Sequence, residues 1–264
     1  MATVVDRIKQ IEQPRGGYIN PKTMDVRIMG SDAFGPLALE ETSVHYSLVG
    51  IAVDYLTRLA NGTAPRDAFA VSLMGAAIAG MSGFTQAQAE AEMMVDQMEA
   101  GRVDDMDIQR ACYLAGFDSV FRAGYYNPDA VTQPDKVTSE HIMIMIKRAR
   151  KFFEEYGPVL VDGFTFDGAY TELVNAGDGD FLTEDTLWDF KVSVKPPTSR
   201  HTLQLLMYYL MGRHSFDADL FEFIEYLGIY NPRLDTVYRI AIDRIPVEVI
   251  TEVSHDVIGY GKLA

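Results

Sequence analysis

Two spacings of apolar residues divide the chain. From about residue 40 to 124 apolar positions recur every three or four residues, which predicts a series of helices, the first at about 42–60. Three more helices are predicted in APRDAFAVSLMGAAIAG, TQAQAEAEMMVDQMEAG and DDMDIQRACYLAGFDSVFRAG, and an amphipathic helix at about 138–156. The first forty residues contain turn signals such as GG and NP, and we expect them to be irregular.

Beyond residue 157 apolar and polar residues alternate, which is typical of strands. The DG pair at 167–168 predicts a hairpin turn, and the ED pair at 184–185 predicts a second reversal between two strands. A helix should then begin at Thr198 or Ser199 and end at Gly212. Two strands, FEFIEYLGIYNPR and TVYRIAIDRI, and a closing helix in PVEVITEVSHDVIGY complete the order β-β-β-α-β-β-α.

This pattern predicts an α+β protein with one mixed sheet flanked by helices and a helical N-terminal half. We divide it into an irregular segment at 1–40, a helical region packed on the core at 41–137, and the sheet-containing core at 138–264. The only cysteine, Cys112, cannot form an internal disulfide and is expected in the core. A cytoplasmic protein without a membrane span is predicted, because the start lacks a signal-peptide pattern and the most apolar run, at 70–84, is short.

Carboxylates gather around one lysine in the segment GDGDFLTEDTLWDFKVS. In a strand, residues two apart share a face, so Asp189 and Lys191 should lie side by side. Asp180 precedes Asp189 by nine residues, and a short turn would bring both carboxylates together on adjacent strands. Such a pair repels itself unless a hard cation such as Mg²⁺ or Mn²⁺ holds it. The opposite, apolar face carries Trp188, Phe190 and Val192.

The helix that follows adds two polar residues to this constellation. Gln204 and Tyr208 are four residues apart and share one helix face, where they could offer hydrogen bonds to a phosphate or to the carboxylates. The core-facing side is largely covered by Leu203, Leu206, Met207 and Leu210.

The string D-x8-D-x-K followed by Q-x3-Y resembles the PD-(D/E)XK nuclease superfamily, and within it the RecB-like group that includes lambda exonuclease. The resemblance covers roughly 158–245 and implies a restriction-endonuclease-like fold. It also implies that Asp180 and Asp189 are metal ligands, that Lys191 assists catalysis, and that Gln204 and Tyr208 form the supporting helix pair. The family's glycine before the first acid is matched by Gly177 or Gly179.

RecB-like nucleases also carry a small-residue motif on an N-terminal helix whose last side chain reaches the metal. GIAVD resembles it, with Gly50 and Asp54 on one helix face and aspartate where many relatives have histidine or glutamate. The other interpretation of Asp54 is a solvated helix residue. Glu140 and Glu172 are further candidates for the same metal-binding role.

The resemblance implies a Mg²⁺- or Mn²⁺-dependent deoxyribonuclease, exonuclease-like, that cleaves by attack of water on a phosphodiester. RNA or a nucleotide is an alternative substrate, and no base-reading feature is evident. A rival hypothesis is a nuclease fold without turnover, acting as a nucleic-acid-binding or protein-interaction module. A protein partner or a homo-oligomer is compatible with either.

Net charge is the main argument against nucleic-acid binding, since the chain carries −15 at pH 7. A groove needs only local positive charge, and the sequence offers two sources of it. One is the run KRARK at 147–151, with Lys147 and Arg148, whose other interpretation is the solvated face of an amphipathic helix. The other, near the proposed site, comprises Lys191, Lys195, Arg200, His201 and Arg213.

Other chemistries fit the sequence poorly. A calcium-binding EF-hand loop starting at Asp178 would need glycine where Thr183 stands and glutamate where Asp189 stands. The five histidines show no zinc-ligand spacing, and no Walker A, G-x-S-x-G or dinucleotide fingerprint is present.

Overall fold

The computed structural model describes residues 2–38, 42–124, 126–127 and 130–261. It confirms the α+β prediction, with a helical N-terminal half followed by a six-stranded mixed sheet and flanking helices. The helices are α1 (Val4–Gln10), α2 (Tyr46–Ala60), α3 (Pro65–Ala68), α4 (Ala70–Met81), α5 (Ala87–Asp96), α6 (Asp105–Ala115), α7 (Asp118–Ala123), α8 (Lys136–Tyr156), α9 (Ser199–His214) and α10 (Val247–Glu252). The strands are β1 (Ala2–Thr3), β2 (Asp25–Ile28), β3 (Val161–Phe164), β4 (Val174–Ala176), β5 (Gly179–Leu182), β6 (Thr186–Phe190), β7 (Tyr226–Asn231) and β8 (Thr236–Ala241).

Strand β6 lies inside the sheet and carries Asp189, with Lys191 of the D-x-K motif directly after its last residue. The strand order is β2-β8-β7-β6-β5-β3, in which β6 and β7 are parallel and the remaining neighbours are antiparallel. Every residue of β6 is buried. The reversal between β5 and β6 at 184–185 is confirmed, and α9 provides the crossover from β6 to the parallel β7.

The hairpin expected at the DG pair is wrong. Strand β3 pairs with β5, whereas β4 pairs in parallel with β1 at the start of the chain. Asp167 and Gly168 lie in the loop between β3 and β4, where the carbonyl of Asp167 accepts a hydrogen bond from the backbone of Phe216. Alternation indicates a strand but does not say which strand it pairs with, and here the partner came from a distant segment.

The first forty residues are more ordered than expected. Thr3 caps α1 by accepting a hydrogen bond from the backbone N–H of Asp6, and Val4 and Ile8 anchor that helix in the core. Strand β2 pairs with β8 and forms one edge of the main sheet. With only two buried apolar residues, α1 is too short for its helical pattern to be recognised in a segment that also contains turn signals.

Helix α9 begins after Thr198, as predicted, but Gly212 does not end it. The helix continues to His214, and Gly212 is buried where a Cβ would overlap the ring of Phe221. A small residue at this position therefore serves close packing rather than termination. The second and fourth predicted helices are each divided in two, as α3 with α4 and α6 with α7.

Three apolar clusters hold the elements together. One lies between α9, α1 and the sheet face that carries Leu187, and a second lies between α8 and the opposite face, where Trp188 and Phe152 meet edge to face. The third is the core of the helical half and includes the buried Cys112, as expected. No helix in the described ranges is long and apolar enough to cross a membrane.

Candidate active site

The two aspartates of the D-x8-D motif face each other across adjacent strands. The antiparallel register of β5 and β6 pairs Phe181 with Trp188, and carrying it one residue further sets Asp180 opposite Asp189. Directly opposite side chains share a face and lie within interaction range. Oδ2 of Asp180 also accepts a 2.7 Å hydrogen bond from the backbone N–H of Phe190, at the end of β6. The expectation that both acids meet on neighbouring strands is confirmed.

Asp189 is a buried carboxylate with one oxygen left without a hydrogen bond. Its residue is 1% exposed, and Nζ of Lys191 lies 2.8 Å from each carboxylate oxygen. The hydrogen bond goes to Oδ1, whereas Oδ2 accepts none. Burial raises the pKa of Asp189 to about 7, since the charge of Lys191 offsets burial only in part and Asp180 adds repulsion.

Lys191 remains a cation in this setting. Burial alone would lower the pKa of its ammonium group, but the charges of Asp189 and Asp180 outweigh burial, and the pKa is raised. A lysine whose pKa is raised holds its proton at neutral pH. Its chemistry here is therefore that of a fixed positive charge and hydrogen-bond donor rather than a base.

The polar pair on α9 reaches the same sheet face. Nε2 of Gln204 donates a 2.9 Å hydrogen bond to the hydroxyl of Tyr208, as their shared helix face predicts. Burial, with the nearby charges of Asp189 and Asp180, raises the pKa of Tyr208 well above its ordinary value. The phenol stays neutral, and because its oxygen already accepts from Gln204, its own proton can be given to another acceptor.

Helix α2 brings a third aspartate to the carboxylate pair. Gly50 packs against Val192, just beyond β6, and Asp54 follows one turn later on the same helix face. Burial and the charge of Asp180 raise the pKa of Asp54 to about 6, with the Arg58 charge opposing them. Oδ1 of Asp54 lies 3.5 Å from Nε of Arg58, yet neither atom has a hydrogen-bond partner.

The donor atoms suit a hard divalent cation. Oδ2 of Asp189 and Oδ1 of Asp54 are buried carboxylate oxygens that lie next to Lys191 and Arg58 but accept no hydrogen bond. A buried oxygen without a hydrogen bond costs free energy. Oxygen ligands of this kind are those that Mg²⁺ and Mn²⁺ prefer. Within the described ranges no three acidic, histidine or cysteine side chains already converge on one point. The facing pair, Asp180 and Asp189, is therefore the nucleus of the site, with Asp54 beside it.

The expectation that Arg148 binds substrate is wrong. Its residue is 1% exposed, and its guanidinium donates to both carboxylate oxygens of Asp32 at 2.7 and 2.8 Å. Further hydrogen bonds go to the carbonyls of Pro232 and Gly35. Arg148 ties α8 to the loops that flank β2 and β8, so its donors are not free for DNA.

The exposed Lys147 lies away from the carboxylates. It lines a groove of about 620 Å³ along α8, together with Lys136 and Lys151, and none of the site aspartates lines that groove. The other acidic candidates are equally peripheral. Glu140 forms an ion pair with Lys136 on the surface of α8, and Glu172 is exposed between β3 and β4.

His201 does not supply the positive charge expected of it. Its Nδ1 accepts a hydrogen bond from the backbone N–H of Thr198 and so helps to cap α9. Burial and the nearby charge of Lys191 lower the pKa of His201 to about 4, so the ring is neutral at pH 7. Lys195 and Arg200, between β6 and the first turn of α9, are exposed.

Two arginines near the site were not anticipated. Arg58 follows Asp54 by one helical turn, a spacing that could have suggested an ion pair. Arg122 donates to Asp178 of the GDGD segment at 3.0 Å and approaches the buried Asp118 at 3.5 Å. No local pattern could have revealed Arg122, because Asp178 is 56 residues away.

No protein-family model, curated protein or solved structure matches this chain. The functional argument therefore depends on the chemistry of the site itself. That site combines a facing carboxylate pair, a protonated lysine and a neutral tyrosine on one face of the sheet.

Proposed function

We propose that this protein is a divalent-metal-dependent nuclease that hydrolyses phosphodiester bonds in DNA, with Mg²⁺ or Mn²⁺ as its cofactor. The observation that carries the proposal is the buried Oδ2 of Asp189, which accepts no hydrogen bond and lies 2.8 Å from the charged Lys191, on a residue at the strand position opposite Asp180. The two facing carboxylates, one of them fully buried, outnumber the single ammonium of Lys191 beside them, so a divalent cation would complete the balance of charge.

Asp180 and Asp189 would hold the metal ion, and Asp54 is the third carboxylate within electrostatic reach. A bound Mg²⁺ or Mn²⁺ polarises a phosphate and lowers the pKa of water, which is the chemistry that phosphodiester hydrolysis requires. The hydrogen bond from Phe190 to Asp180 fixes that carboxylate relative to β6, so the pair is pre-positioned by the sheet.

Lys191 and Tyr208 act on the phosphate rather than as bases. The ammonium of Lys191 orients Asp189 and offers positive charge where negative charge grows on the phosphate oxygens during attack by water. Tyr208 keeps its proton and can donate it to a phosphate oxygen, with Gln204 holding the phenol in place. Hydrogen-bond donors that are already in position stabilise a transition state most strongly where water is excluded.

The substrate assignment rests on the resemblance of D-x8-D-x-K and Q-x3-Y to the RecB-like nucleases. It suggests DNA rather than RNA and an exonuclease-like mode. Lys195 and Arg200 are exposed where the chain leaves the site, so they suit contacts with the DNA backbone. The net charge of −15 opposes binding elsewhere on the surface and is compatible with DNA delivered by a partner protein or a second copy.

The test is digestion of end-labelled linear DNA and closed circular DNA with Mg²⁺, with Mn²⁺ and with EDTA. We expect metal-dependent loss of linear DNA, abolished in Lys191→Ala and retained in the matched control Lys136→Ala, which removes an exposed lysine. Nicked circles would make the enzyme an endonuclease. Absence of cleavage of both DNA forms and of RNA, with metal bound, would contradict turnover and favour the interaction module.

A further inference from the structure

Arg58 reaches from helix α2 onto the edge strand of the sheet beside the carboxylate pair. Its side chain is 14% exposed, and its guanidinium occupies the space where a Cβ at Gly163 would lie. The register of β3 and β5 pairs Asp162 with Phe181, which sets Gly163 opposite Asp180. Gly163 has a φ of +60°, a conformation that favours glycine, so this opening is built into the strand.

The guanidinium of Arg58 lies close to several carboxylates, but not all of its N–H groups form hydrogen bonds with them. Burial alone would lower the pKa of Arg58, but Asp54, Asp180 and Asp162 outweigh burial and raise it. Nε of Arg58 lies 3.5 Å from Oδ1 of Asp54, an ion pair in which neither atom makes a hydrogen bond. Asp162 instead accepts a 2.5 Å hydrogen bond from Thr63. A buried guanidinium with an unpaired N–H is costly unless a ligand completes it.

The other cations near the site are already committed. Lys191 contacts both oxygens of Asp189, and Arg122 binds Asp178 and approaches Asp118. A phosphate that approaches the aspartates would meet strong negative charge. Arg58, whose Nε makes no hydrogen bond, adds to the positive charge of Lys191 in offsetting that repulsion.

We propose that Arg58, lying over Gly163, is a phosphate-binding residue of the site and contacts the DNA backbone beside the carboxylate pair. This inference rests on the proposed nuclease function. The planar guanidinium matches two phosphate oxygens, a geometry that a lysine cannot reproduce. Asp54 holds the guanidinium loosely in the free protein and exchanges it for the phosphate when DNA binds.

The test measures DNA binding without cleavage, by fluorescence anisotropy of a labelled duplex in EDTA across a series of salt concentrations. Arg58→Gln should weaken binding about tenfold, as expected for a charge-assisted hydrogen bond. It should also reduce the slope of log K against log salt by about one, the signature of one lost phosphate contact. The matched control Arg66→Gln removes an arginine that is 57% exposed and should leave the slope unchanged.

Repeating the measurement in an Asp54→Asn variant separates phosphate binding by Arg58 from a role in which Arg58 only balances the charge of Asp54. In Asp54→Asn, Arg58 loses the carboxylate that it ion-pairs with on α2, so an Arg58→Gln effect that acts through that ion pair should become smaller there. The proposal requires the loss of affinity and slope to persist, and Arg58→Lys to keep the slope while losing affinity. Thermal melting of each variant verifies that it is folded.

The outcomes distinguish this inference from the nuclease proposal. Wild-type cleavage with metal, combined with an unchanged slope in Arg58→Gln, would overturn the phosphate contact and leave the nuclease standing. Loss of affinity and slope in a protein that never cleaves would support the contact and contradict the nuclease. A wild type that does not bind DNA in EDTA would overturn the contact.

Discussion

Replacing Asp189 by asparagine should change how the stability of the metal-free protein depends on pH. Asp189 has a pKa of about 7 in the folded protein, whereas the ordinary pKa of an aspartate is 3.8. The folded state therefore binds more protons than the unfolded state between these two values. Stability contributed by this group is fully present below pH 4 and falls as the pH rises towards 7.

The size of this loss of stability follows from the difference between the pKa of Asp189 in the folded and in the unfolded protein. A change of one pKa unit corresponds to about 1.4 kcal/mol, and over the window from pH 5 to pH 8 the wild type should lose about 2 to 3 kcal/mol of unfolding free energy through this group. Asp189→Asn cannot titrate and should lack that loss. Its stability relative to the wild type should therefore improve by the same amount on going from pH 5 to pH 8.

Urea unfolding in EDTA at the two pH values measures this difference. Asp25→Asn is the matched control, because it makes the same substitution at an aspartate whose side chain is 75% exposed. Parallel pH dependences in the wild type and in Asp189→Asn would refute the reasoning that Asp189 is buried next to a second carboxylate.

Three further predictions concern the site and its scaffold. Mg²⁺ or Mn²⁺ should raise the melting temperature more at pH 8 than at pH 5, since ligand carboxylates must lose their protons, and Asp180→Asn should abolish this rise in differential scanning fluorimetry. Gly163→Ala should displace the guanidinium of Arg58 and strain a residue at positive φ, with a loss of about 1 to 3 kcal/mol in urea unfolding and weaker DNA binding. Arg148→Ala should cost about 3 kcal/mol, also in urea, because it leaves Asp32 and several carbonyls without their donor.

Each of these has a contrary result. A metal response of equal size at both pH values, or one retained in Asp180→Asn, would contradict the carboxylate site. Gly163→Ala with wild-type stability and DNA binding would contradict the packing of Arg58 on β3. Arg148→Ala with unchanged stability but weaker DNA binding would restore the substrate-binding interpretation of Arg148.

The sequence revealed those parts of the site that depend on local geometry. Alternation along β6 places Asp189 and Lys191 on one face, a short turn brings Asp180 opposite, and helical spacing joins Gln204 to Tyr208. In each case the residues are nine positions apart or fewer, within one regular element or across one short turn. The six-stranded sheet followed largely from the same alternation.

Contacts between distant segments could not be read in this way. The basic run on α8 does not show that Arg148 points inward, because its acceptors belong to loops more than eighty residues away in either direction. The meeting of Arg58 with Gly163 depends likewise on how α2 packs on β3. Pairing of β4 with β1 was hidden for the same reason, since alternation carries no information about a strand's partner.

The most direct measurement of the central claim is the position of Mn²⁺ in crystals of the protein, located by its anomalous scattering. The account predicts an ion about 2 Å from carboxylate oxygens of both Asp180 and Asp189. Crystals in which Mn²⁺ binds elsewhere, or in which Lys191 alone contacts Asp189 at saturating metal, would contradict it.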